Sequence, residues 1–117
     1  KWIGCLCLAG VLAAVGCRKH DYKTITITVP DMKGETCTRI VRQALRQLPG
    51  IRKDSIAFDL EARTVTLRYD TLVAADKNAE YLVTDAGFRV RSTSRGEPFV
   101  IPADPEAVAK LPPDCRP

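Results

Sequence analysis

Between Thr24 and Val29 the chain alternates strictly, with Ile25, Ile27 and Val29 set among Thr24, Thr26 and Thr28. An unbroken β-branched run with a period of two describes a strand with one apolar face. Pro30 stops it, and after a short loop the period changes. From Glu35 to Leu48, residues Cys37, Ile40, Val41, Ala44, Leu45 and Leu48 recur at three- and four-residue spacing. That is the stripe of an amphipathic helix, with Glu35, Arg39, Arg42 and Arg46 on its other side. Pro49-Gly50 ends it.

The same two periods recur downstream. Ser55–Phe58 reads as a short strand, and Asp59–Arg63 as a hairpin connection. Thr64–Tyr69 is a third strand, with Val65, Leu67 and Tyr69 turned inward. A second helix runs from about Ala75 to Ala86 on the stripe Ala75, Ala79, Leu82, Val83 and Ala86, with Gly87 suited to its C-terminal cap. Phe88–Arg91 is the fourth strand. The order is βαββαβ, an α+β ferredoxin-like sandwich: a four-stranded antiparallel sheet with both helices on one face. Strands one and three lie side by side in its centre. The core is expected to hold Ile25, Ile27, Val29, Ile40, Ala44, Leu48, Val65, Leu67, Leu82 and Phe88.

The ends of the chain differ from this middle. Residues 1–17 start with Lys1, continue through an apolar stretch from Trp2 to Val15 and end at Gly16-Cys17, before the charged run Arg18-Lys19-His20-Asp21. A basic start, a short apolar core and a small-residue site describe a secretory signal, shorter than the ~20 residues of a membrane span. Ala14-Val15-Gly16-Cys17 resembles the bacterial lipobox, which implies that Cys17 is lipidated and becomes the first residue of a membrane-anchored envelope protein. Residues 18–23 are then a tether, 24–92 the domain and 93–117 a Pro-rich tail. Residues 94–117 hold six of the eight prolines, and an extended tail is expected, with a short helical turn around Pro105 to Leu111.

Removal of residues 1–16 takes Lys1 and no acid, leaving 17 basic and 14 acidic side chains, a balance of +3. That is too mild to argue for nucleic acid, and no aromatic-basic platform supports it. Cys5 and Cys7 leave with the signal, so Cys37 and Cys115 remain as thiols in a compartment that permits disulfides.

The loop Asp31-Met32-Lys33-Gly34-Glu35-Thr36-Cys37 carries the chemistry. It resembles the metal loop of the heavy-metal-associated domain, in which a Met is followed by two Cys three residues apart; here Gly34 stands at the first Cys position and Cys37 at the second. The run Leu48-Pro49-Gly50-Ile51, the strand Val65–Asp70 and Ala86-Gly87-Phe88 extend the resemblance over about residues 23–92. Such domains bind Cu(I), Zn(II), Cd(II) or Hg(II) in chaperones, transport ATPases and mercury-scavenging proteins. The resemblance implies a Cu(I)-like soft ion as cofactor or cargo, with Cys37 as main ligand. Soft ions favour soft sulfur donors, and a helix N-terminus stabilises a thiolate. Met32, Cys115 or another molecule would supply a second sulfur, although Met32 in such domains resembles a packing residue beneath the loop.

Each candidate also has a plainer role. Cys37 shares a stripe with Val41 and Ala44, as a buried structural Cys would, and Gly34 suits a helix start that needs conformational freedom. Cys115 has three outcomes open. It stays unpaired, which is the default; it replaces the missing ligand; or it closes a disulfide to Cys37. The last would enclose about 78 residues and contribute roughly 4–5 kcal/mol. His20 is expected to be solvated. Arg39, Arg42 and Arg46 form either a solvated face or a docking surface for an acidic metal-transfer partner. One His, no phosphate loop and no Cys-x-x-Cys leave no catalytic constellation, so the chain is expected not to be an enzyme. The rivals to metal binding are an interaction or structural module that retains the fold and, third, a thiol redox protein.

Overall fold

The computed structural model describes residues 20–93 and 95–117; the signal-like segment and Cys17 lie outside the described residues. Six elements follow the expected order: β1 (Tyr22–Thr28), α1 (Glu35–Leu45), β2 (Ala57–Asp59), β3 (Thr64–Asp70), α2 (Asp76–Asp85) and β4 (Val90–Ser92). β1 and β3 pair antiparallel over their whole length, from Tyr22 opposite Asp70 to Thr28 opposite Thr64. That register places Ile25 across from Leu67 and Ile27 across from Val65. Thr26 and Thr66 meet on the opposite face, their hydroxyls 3.2 Å apart. The alternation in both strands therefore sorts threonine outward and aliphatics toward the helices.

The helices cover that apolar face. α1 buries Cys37, Val41 and Leu45, and α2 buries Ala79 and Val83. Ile27, Val29, Leu48, Val65, Leu67 and Phe88 are buried as expected, while Ile25, Ile40, Ala44 and Leu82 are only half-buried. The hydrophobic stripe extends to Leu48, but α1 ends at Leu45. Gln47 and Leu48 donate instead to carbonyls three residues back, on Ala44 and Leu45. Pro49 disfavours helical backbone at the residue before it, so the last turn tightens.

Two expectations are corrected. The sheet has five strands, in the order β2-β3-β1-β4-β5, and the residues expected to form an extended tail are folded. β5 (Phe99–Ile101) adds antiparallel to β4, with Val100 opposite Arg91. α3 (Pro105–Lys110) follows, where the expected helical turn lies, capped by the Asp104 carboxylate accepting from the Glu106 N–H at 3.2 Å. The Asp104 N–H donates to the Thr84 carbonyl at 3.0 Å, tying the tail to α2.

Gly87 has φ +104, and a Cβ there would lie 2.9 Å from Leu111 Cδ1 and 3.1 Å from the Ala107 carbonyl oxygen. It is thus both the left-handed residue that ends α2 and the bare backbone on which the tail lies. Leu111 is buried on this contact. A 3-10 turn, Pro113–Cys115, then reaches α1.

Candidate metal loop and the disulfide that closes it

The loop between β1 and α1 is held from below by an ion pair. Asp31 is 2 % exposed, and Arg89 forks onto it, Nε to Oδ2 at 2.9 Å and Nη2 to Oδ1 at 2.6 Å. The Arg89 backbone N–H reaches the same Oδ2 at 3.3 Å. Bidentate geometry of this kind is among the stronger charge-assisted contacts. Arg63 braces the other side, its Nη1 donating to the Pro30 carbonyl at 2.7 Å. Neither arginine is a candidate in the sequence pattern, because Arg89 is 58 residues from Asp31 and only the fold joins them.

Hydrogen bonds from Arg89 hold the Asp31 carboxyl below the usual carboxylate range, against the opposing effect of burial. A depressed folded-state pKa contributes stability that is present above the unfolded value of about 3.9. It is lost as pH falls through the lowered value. Arg89→Ala should therefore cost about 1–3 kcal/mol at neutral pH, the penalty of a buried acceptor left unpaired. The difference from wild type should shrink between neutral pH and an acid pH below the lowered Asp31 value, where the carboxyl is protonated in both proteins. Urea melts at the two pH values measure this, and a pH-independent difference would refute it.

Met32 is fully buried, at 0 % exposure, so its thioether is core packing beneath the loop. Gly34 precedes the helix with φ −165 and ψ −175, extended backbone open to any residue, so conformational freedom does not explain the glycine. A Cβ built on it meets nothing within 4 Å. Lys33 donates from Nζ to the Arg116 carbonyl at 2.7 Å, so the loop and the end of the chain are in contact.

Cys37 and Cys115, 78 positions apart in sequence, form a disulfide with their Cα atoms 5.6 Å apart. The default of an unpaired Cys115 is overturned. The folded tail carries Cys115 to the first turn of α1, and this Cα separation lies in the ordinary disulfide range. Both residues are buried, Cys37 at 1 % and Cys115 at 0 %. The disulfide form offers no thiolate, and the residues as they stand do not fit a soft ion. Reduction would leave two sulfur donors side by side. Among the described residues no group of three or more His, Cys, Asp or Glu is placed to hold a metal.

The remaining candidates lie elsewhere. His20 is at the start of β1, the opposite pole, where its Nδ1 is 3.0 Å from Asp70 Oδ2 and its ring stacks on Tyr22. Arg39, Arg42 and Arg46 are exposed on α1. Arg42 is partly committed, its Nη1 donating to the Ile56 carbonyl at 3.3 Å and its guanidinium lying 5.0 Å from the Phe58 ring centre.

Residues 26–80 match the sequence profile of the heavy-metal-associated domain. Oxidized MerP from Ralstonia metallidurans CH34 is similar in fold, at 21 % identity over 60 % of this chain and 94 % of that one, with a TM-score of 0.55. The CopZ metallochaperone is similar at 25 % identity over 58 % of this chain and 98 % of that one, with a TM-score of 0.54. No curated protein matches the chain.

Proposed function

We propose, from the premise that residues 26–80 form a domain of the heavy-metal-associated family, that this chain is an envelope lipoprotein binding a soft, Cu(I)-like ion. The ligands are Cys37 and Cys115 in their reduced form. The observation that carries the reading is the meeting of the two sulfurs at the first turn of α1. The tail thereby supplies, from the far end of the chain, the second sulfur that Gly34 does not. Soft ions favour thiolate pairs, and the N–H groups of the helix start favour the thiolate of Cys37. Lipidation of Cys17 anchors the protein at a membrane surface, and exposed Arg39 and Arg46 offer an acidic metal-transfer partner a docking face.

A specific observation favours a second reading. Both sulfurs are buried, as in a structural disulfide that replaces metal as the loop's fastening, and the domain is then an interaction module. One titration separates the two. The mature protein, oxidised and then reduced under anaerobic conditions, is titrated with Cu(I) against a competing chelator. The metal reading expects one equivalent in the reduced protein only, with at least tenfold loss of affinity in both Cys37→Ser and Cys115→Ser. Binding that survives Cys115→Ser unchanged removes the tail from the site. No binding by the reduced protein removes the metal reading and puts the interaction module ahead.

A further inference from the structure

The central strand β1 is paired on one side along its whole length and on the other at a single residue. The Asp21 carbonyl accepts the Thr71 N–H at 2.8 Å, and the Val29 N–H donates to the Arg63 carbonyl at 2.8 Å. Both bonds keep the register that sets Ile25 opposite Leu67. Odd-numbered residues of β1 therefore exchange bonds with β3, and Thr24, Thr26 and Thr28 direct their N–H and C=O groups to the other side. There β4 meets only the last of them, Thr28 opposite Arg91. Beyond Ser92 the chain turns back, the Gly96 N–H donating to the Thr93 carbonyl at 2.9 Å with Gly96 at φ +90. It returns as β5 on the far side of β4. The outward donors and acceptors of Thr24 and Thr26 thus have no strand partner among the described residues.

These groups face a groove of about 210 Å³, lined by Ile25 and Thr26 of β1, by Arg91 and Pro98, and by Asp76 and Glu80 of α2. Glu80 is 8 % exposed, and no hydrogen bond or ion pair from the described residues reaches its carboxylate. A carboxylate so far out of water gains most from a cationic partner. Asp76, one helical turn earlier, is already committed, accepting from the Tyr69 hydroxyl and from Lys23 Nζ at 3.1 Å. Lys23 shows how such a partner arrives, because its side chain reaches from β1 to the first turn of α2. A lysine on a strand added beside β1, opposite Ile25, stands on that same helix-facing side, at Glu80 one turn further along α2. The edge itself is unblocked, since Thr24–Thr26 is exposed or half-buried and carries neither proline nor charge.

We propose that this edge takes an extended peptide segment of a partner protein as an added antiparallel strand, with a lysine of that segment paired to Glu80. Backbone bonds to Thr24 and Thr26 hold the segment, and the buried carboxylate selects its charge. The site uses neither Cys37 nor Cys115, so it holds under either reading of the sulfur pair.

The probe is an acetylated, amidated peptide in which a central lysine is flanked on each side by threonine, valine and threonine, with a fluorophore at one end. Titrated with oxidised full-length protein, it should bind one to one, and amide hydrogen exchange at Thr24 and Thr26 should slow by about tenfold or more. Glu80→Gln keeps the shape and removes the charge, and it should weaken binding by about tenfold or more. The same peptide with norleucine in place of lysine should lose as much, with the protein unchanged. Methylating the backbone nitrogens of the two threonines beside the lysine should abolish binding, because those nitrogens face Thr24 and Thr26. Binding indifferent to both charge changes removes Glu80 from the site, and unchanged exchange at the two threonines removes the strand edge; either result overturns the proposal. A protein that does not take the peptide overturns it as well. Dimerisation that slows exchange at the same two amides assigns the edge to a second copy of this chain instead.

Discussion

Reducing the Cys37–Cys115 bond should lower the melting temperature of the domain by about 15 °C or more. The bond spans 78 residues, and a cross-link of that length removes roughly 4–5 kcal/mol of chain entropy from the unfolded state. Loss of a native disulfide in a small domain costs about 2–5 kcal/mol. At roughly 4–8 °C per kcal/mol for a domain of this size, the shift is large against a total stability of about 5–15 kcal/mol. The tail elements are short and depend on this fastening. Beyond Cys115 itself, Leu111 on Gly87 and the Lys33 contact with the Arg116 carbonyl hold them. Cys115→Ala should reproduce the effect of reductant. Thermal melts with and without reductant, with thiol counting before each, provide the measurement. A wild-type protein that shows two free thiols and an unchanged melt would mean that the bond contributes nothing to folding.

Gly34→Cys, combined with Cys115→Ser to free the Cys37 thiol, should bind Cu(I) at least a hundredfold more tightly than Cys115→Ser alone. The backbone at position 34 is extended and a side chain there meets nothing within 4 Å. The substitution therefore carries neither strain nor clash. It places a second thiolate at the start of α1, three residues from the first and under the same helix N-terminus. Two soft donors on one ion bind far more tightly than one. Chelator competition on the reduced variants gives the ratio. An unchanged affinity would show that positions 34 and 37 do not converge on a common ion.

The two long strands, β1 and β3, and the helices α1 and α2 could be read from the sequence because each has its own internal period. Ile25, Ile27 and Val29 alternate with threonine, and Cys37, Val41 and Leu45 fall on one helical stripe, so burial of Ile27, Leu67 and Val83 follows from local spacing. The same stripe made a buried Cys37 legible, and the glycine at position 34 stood out as a missing sulfur. Beyond the helical turn expected around Pro105 to Leu111, the tail carried no such signal. β5, α3 and the turn at Pro113–Cys115 have three, six and three residues. Elements that short have no period to detect and no stability alone, and they form only on surfaces that β4, Gly87 and α1 provide.

What the sequence by itself determined is therefore the βαββαβ frame and the sulfur-poor loop at its apex. Only the tertiary structure decided how that loop is completed. Asp31 meets Arg89 across 58 residues, Met32 is absorbed by the core, and Cys115 reaches Cys37 across 78. Local periodicity reports which face of an element is buried. It does not report which distant residue the fold will bring against that face, because that depends on the summed packing of elements whose own sequences are silent about one another.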